Sequence, residues 1–125
     1  MYLKDYLEIF TNDVSDYSKT GLIMTSNIEC DFRSEKIGFL KGKIIFLDES
    51  VLFFKEYLDL RYQIDKKTYS FHYQDINTNL LFRYDNALHK PKLGFYDHKH
   101  VDGRILKSNV PTIKDVLKEI VDGYL

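Results

Sequence analysis

All four histidines of this 125-residue chain, His72, His89, His98 and His100, fall between Tyr69 and His100. Arg83, the Asp85-Asn86 pair and Lys99 share that stretch, interleaved with aromatic residues. Imidazole changes charge near neutral pH and is the commonest metal ligand, so the clustering points to acid–base or metal chemistry. A histidine beside an arginine loses affinity for its proton, which suits His72 and Arg83 to a general base and its neighbour. A guanidinium also grips a phosphate through two parallel hydrogen bonds. Asp85 can orient an imidazole, as carboxylates do for catalytic histidines, or it can serve turn chemistry with Asn86. His98-Lys99-His100 sets two imidazoles on one side of an extended chain, and His89 or Asp97 could complete a metal site. That pattern is unspecific, and no H-E-x-x-H or EF-hand loop strengthens it. The plainer reading is of structural or solvated histidines, with Arg83 paired to Asp85 or Asp75.

The elements that must position these groups can be read from hydrophobic period. Leu3, Tyr6, Leu7 and Phe10 follow the spacing of a helix with one buried face, and Thr11-Asn12-Asp13 is expected to end or loosen it. From about Met24 the period becomes two, with Ile28, Cys30 and Phe32 on one side of a strand. Further strands are expected over Ile37 to Phe46, Val51 to Leu60, Tyr69 to Gln74 and Leu80 to Asp85. A short edge strand broken at Asp102-Gly103 follows. Pairing Phe71 with Tyr84 and Tyr73 with Phe82 keeps the aromatics together, and it sets Ser70 against Asp85 and His72 against Arg83, with Gln74 beside Leu81. A slip of one residue would mix apolar and charged side chains across both faces, so His72, Arg83 and Asp85 are expected on one polar face. Thr112 and Asp115 form a capping box for a final helix ended by Gly123. The fold class is therefore α+β: a largely antiparallel sheet of five to six strands flanked by an N-terminal and a C-terminal helix, in a single domain over residues 1–125.

Composition narrows the possibilities. Charged residues make up 30% and net charge is -1, yet residues 61–107 carry 9 Lys/Arg against 5 Asp/Glu. That excess can attract a phosphate but falls short of the six to ten contacts common in duplex binding. The lone Cys30 excludes an intramolecular disulfide and a cysteine-based zinc site, and is expected to be buried or half-buried. No signal peptide or membrane-spanning run is apparent, so a cytoplasmic protein is expected. Glu56 alternates with Leu52, Phe54 and Leu58 and would point into the core, where a carboxylate must find a partner. Tyr69, Phe71 and Tyr73 are assigned to the core rather than to base stacking. No glycine-rich phosphate loop or serine elbow is present.

The strings Phe54-Lys55-Glu56-Tyr57, Tyr69 to Asp75, Leu81-Phe82-Arg83-Tyr84-Asp85-Asn86-Ala87, His89 and His98-Lys99-His100, with Ser108, Pro111 and Val116 to Ile120 at the close, form one pattern. It resembles that of TumE-type proteins, small prokaryotic chains classed as the toxin half of toxin–antitoxin pairs. The resemblance spans roughly residues 40–121. It departs at Leu88, Lys90 and Tyr96-Asp97, where the family often carries Pro, His and Pro-His. It implies a toxin-like role and a cognate antitoxin partner. Joined to the residues, it leads to a toxin that acts on RNA without a metal or other cofactor. His72, Asp85, His89, His98 and His100 would supply acid–base chemistry, and Arg83 and Lys99 would hold phosphate. The alternatives are a non-catalytic module docking nucleic acid or protein, and a metal-dependent hydrolase; a homo-oligomer is compatible with each.

Overall fold

Leu3, Phe10 and Val14 are the buried stripe of α1 (Leu3–Ser18). The computed structural model describes residues 1–88 and 93–125. The expected break at Thr11-Asn12-Asp13 does not occur. Val14 continues the apolar stripe at 2% exposure, and the Thr11 hydroxyl donates to Glu8 O at 3.0 Å, so burial of one face outweighs a locally poor helix sequence. The helix closes where Gly21, at φ +80°, takes the left-handed turn that a glycine reaches at no steric cost.

Seven strands follow: β1 (Ile23–Phe32), β2 (Ile37–Phe46), β3 (Val51–Asp59), β4 (Asp65–Gln74), β5 (Leu80–Asp85), β6 (His98–Val101) and β7 (Arg104–Lys107). Helix α2 (Ile113–Gly123) ends the chain. All neighbours are antiparallel and stand in chain order, β1 to β7, in one sheet. The broken edge strand of the sequence reading is a two-stranded hairpin. Asp102 (φ 52°) and Gly103 (φ 72°) both have positive φ, the requirement of a tight two-residue turn.

The β4–β5 register is the one that burial selects. Phe71 pairs with Tyr84, Tyr73 with Phe82, Ser70 with Asp85 and His72 with Arg83. A shift at Tyr73/Gln74 sets Gln74 against Leu80 rather than beside Leu81. It adjoins a connection in which Asp75 accepts the backbone N–H groups of Asn77 and Asn79.

Both helices lie on the same face of the sheet. Phe10 of α1 meets Phe54 with ring centroids 5.1 Å apart, and Tyr124, just beyond α2, meets Tyr73 at 5.4 Å. Between them, Leu40, Ile44, Leu52, Leu58, Phe71, Tyr73 and Phe82 are excluded from water, each burial contributing about 1.5–3 kcal/mol. Tyr69, Phe71 and Tyr73 are core residues, as expected. Thr112 and Asp115 form the reciprocal cap of α2, while Gly123 stays inside the helix and Tyr124 closes it through a bond to Ile120 O. Among the described residues, no helix is long and apolar enough to cross a membrane.

Glu56 does point into this core, at 0% exposure. A register shift between Tyr57 and Leu58 brings Lys66 opposite Leu58, on the core side of the sheet. Its ammonium stands 2.6 Å from Glu56 Oε2, and Tyr6 donates to Oε1 at 2.5 Å. Burial first, then the neighbouring carboxylate, pushes the Tyr6 phenol far above its ordinary range, so this hydroxyl stays a donor.

Candidate functional site

The sheet face opposite the helices carries the polar residues singled out above, and antiparallel pairing aligns them in rows across the strands. One row runs Lys43, Phe53, His72, Arg83 and His100. The next runs Lys41, Lys55, Ser70, Asp85 and His98. Arg83 therefore has a histidine on each adjacent strand, His72 on β4 and His100 on β6.

Asp85 is the hub. At 4% exposure its carboxylate needs donors; two N–H groups supply them and an imidazole nitrogen stands close by. Ala87 N–H donates to Oδ1 at 3.0 Å, Arg83 Nε donates to Oδ2 at 2.8 Å, and His98 Nε2 lies 2.9 Å from Oδ1. His100 Nε2 stands 3.7 Å from Oδ2. His98 is itself 1% exposed, with Nδ1 2.6 Å from the Tyr96 carbonyl. A carbonyl oxygen only accepts, so Nδ1 carries its hydrogen and Nε2 is aimed at the carboxylate. The His98 and His100 rings meet edge to face at 4.9 Å.

His72 is held differently. Arg83 Nη1 lies 3.2 Å from His72 Nδ1, and because a guanidinium only donates, Nδ1 is the acceptor. Nε2–H then donates to Gln74 Oε1 at 3.1 Å. Burial lowers the proton affinity of this imidazole below its ordinary value of 6.5; the Gln74 bond opposes that effect and the Arg83 charge adds to it. The result is a neutral imidazole whose lone pair is covered by an arginine. A shallow hollow of about 280 Å³ opens here, lined in part by Phe53, Lys55, Ser70, His72, Gln74 and Arg83.

Of the residues expected in the site, His72, Arg83, Asp85, His98 and His100 are brought together. His89 lies outside the described residues. Lys99 is not with them: strand alternation turns it to the helix-covered face. There its ammonium stands 2.6 Å from Glu119 Oε2 and about 5 Å from the Phe82 and Tyr84 ring centroids. Asp97, a candidate metal ligand, accepts instead from the Tyr69 hydroxyl at 2.9 Å. The carboxylate beside His98 and His100 is Asp85. Ligand atoms of these three residues lie within 4.8 Å of one another and could hold a cation such as zinc. The His98 bond to Tyr96 O is the kind of outer support that a ligating histidine usually has. Two features weigh against a second cation: the Arg83 guanidinium already bonds Oδ2, and a backbone N–H already bonds Oδ1.

Sequence reasoning placed Gln74 on the face of His72 but missed Phe53 as its neighbour. Phe53 pairs directly with His72 across β3 and β4, with ring centroids 6.3 Å apart. The alternation of β3 places Phe53 on the wet face, but its partner depends on a β3–β4 register that no turn signal fixes.

Comparison with known families finds one model over residues 13–123, described as Toxin TumE. No curated protein and no solved structure matches the chain.

Proposed function

We propose that this chain, which belongs to the TumE toxin family, harms the cell by cutting RNA through metal-free acid–base catalysis. The single observation that carries the reading is the row His72–Arg83–His100, a guanidinium between two imidazoles on neighbouring strands. Arg83 keeps Nε on Asp85 and turns its outer N–H groups to a scissile phosphate. That contact draws Nη1 away and uncovers His72 Nδ1, which takes the proton of a ribose 2′-hydroxyl. The 2′-oxygen bonds to phosphorus, the P–O5′ bond breaks, and His100 protonates the departing 5′-oxygen. The products are a 2′,3′-cyclic phosphate and a 5′-hydroxyl. Asp85, flanked by His98 and the Ala87 N–H, fixes Arg83 and faces His100 Nε2 at 3.7 Å. Lys99 takes no part, being engaged by Glu119 on the other face.

The test is incubation of purified protein with mixed cellular RNA in the presence of chelator. Cyclic-phosphate ends should appear, and His72→Ala or His100→Ala should slow the reaction by about 10²–10⁴-fold. Intact RNA across a broad set of substrates rejects the reading. The partner in this reading is a cognate antitoxin in the same cytoplasm, recognised by its relief of the growth arrest that expression causes.

A second reading has its own support in the convergence of Asp85, His98 and His100. A metal-dependent hydrolase would carry a stoichiometric metal after purification without an affinity tag, and chelator would abolish its activity.

A further inference from the structure

We infer that the open sheet face is the track on which the substrate lies, and that it takes single-stranded RNA, its bases on Phe53 and Tyr57 and its phosphates on Lys43 and Lys55. The choice of RNA over DNA rests on the cleavage reading; the strand and its path rest on the face itself. β3 presents Phe53, Lys55 and Tyr57 to solvent in strict alternation. The two rings remain 42% and 36% exposed in the middle of a sheet that the helices cover only from behind. They stand four residues apart, roughly 13 Å along the strand, with a cation between them. A second hollow of about 410 Å³ lies across β1 to β3, and both hollows share Phe53 and Lys55 in their walls. They form one trough running from Lys43 to His72 and Arg83, three strand spacings or about 14 Å.

Charge selects the occupant. Lys41 is drawn towards Glu29 at 3.8 Å. Among the described residues, no carboxylate comes within ion-pair distance of Lys43 or Lys55. Asp85, the acid nearest the end of the trough, is buried and engaged by Arg83. An apolar partner helix needs contiguous apolar surface, whereas Phe53 lies between Lys43 and Lys55, and Tyr57 has Lys55 on its own strand and Phe39 as its one paired ring on β2. Rings separated by cations suit a strand whose bases stack and whose phosphates are neutralised, and stacking tolerates any sequence. A duplex hides its base faces from such a platform.

The experiment is fluorescence anisotropy with a labelled 12-nucleotide RNA free of self-complementarity, its duplex and the DNA strand of the same sequence. It uses the full chain carrying His100→Ala, so that the probe survives. The single-stranded RNA should bind most tightly. Lys43→Gln with Lys55→Gln should weaken it at least tenfold and flatten the log–log salt slope by about 1.4. Phe53→Ala should cost roughly 5- to 150-fold. All three positions are exposed, and unchanged melting temperatures confirm folding. Binding that ignores these substitutions, or equal or tighter binding of duplex or DNA, overturns the assignment and leaves the cleavage reading untouched. Loss of antitoxin rescue with RNA binding unchanged also overturns it, giving the face to a protein partner. Lysine-dependent binding of RNA that the unsubstituted chain never cuts upholds the track and rejects the cleavage reading.

Discussion

Replacing Lys66 by Met tests the reasoning about buried charge most directly. Met keeps most of the side-chain volume, so the change removes an ammonium rather than creating a cavity. Glu56 is fully excluded from water and has two partners, the Tyr6 hydroxyl on Oε1 and Lys66 on Oε2. Lys66 is also nearly buried, with 5% of its side chain exposed, and it donates to Pro111 O at 2.7 Å. Removing one member of such a pair leaves an uncompensated charge and typically costs about 3–5 kcal/mol. For a domain of this size that corresponds to a melting temperature lower by roughly 10–20 °C. Adding Glu56→Gln removes the stranded charge while keeping an acceptor for Tyr6, so the double variant should recover most of the loss. Urea unfolding of the parent, both single variants and the double variant closes the cycle. A loss below about 1 kcal/mol for Lys66→Met, or a double variant less stable than Lys66→Met alone, would refute the claim that this ion pair holds the carboxylate in the core.

Further outcomes follow from the surroundings of His72, Lys99 and Gly42. Because burial depresses the His72 proton affinity, the unfolded chain binds more protons than the folded one between the folded value and 6.5. The stability tied to this residue is intact above that window and falls as pH drops through it; urea midpoints against pH should show the decline, and His72→Gln should flatten it. The acid limb of cleavage should likewise lie below 6.5. Lys99→Met should leave RNA cleavage unchanged while costing no more than about 1 kcal/mol, since its partner Glu119 is partly exposed; a large drop in rate would return Lys99 to the site. Gly42→Ala should destabilise by about 1–3 kcal/mol or more in thermal melts, because a Cβ there would sit 1.9 Å from Asn27 O and force β1 off β2.

The parts of the fold legible in the sequence are those where two physical signals agree. The β4–β5 pairing could be read because only one register separates Phe71, Tyr73, Phe82 and Tyr84 from His72, Arg83 and Asp85. The α2 cap could be read because Thr112 and Asp115 have the reciprocal spacing. Where signals conflict, the longer-range one prevails: Val14 and its burial carry α1 through polar residues that argue for a stop. Lys99 shows the opposite failure: an expected phosphate contact beside His98 and His100 is sent to the other face by alternation alone. The approach of Asp85 to His98 was not legible, since it depends on β6 pairing with β5 across a connection that has no regular period.

Because the strands stand in the sheet in the order of the chain, the molecule can be assembled from hairpins as it is synthesised, each new strand finding an edge already in place. His72 and Arg83 belong to β4 and β5, but His100 and His98 arrive on β6. A nascent or prematurely terminated chain ending before residue 98 thus holds His72 and Arg83 without His100 across from them. If the proposed cleavage holds, synthesis of β6 becomes the arming step, because the row His72–Arg83–His100 is complete only once that strand pairs with β5.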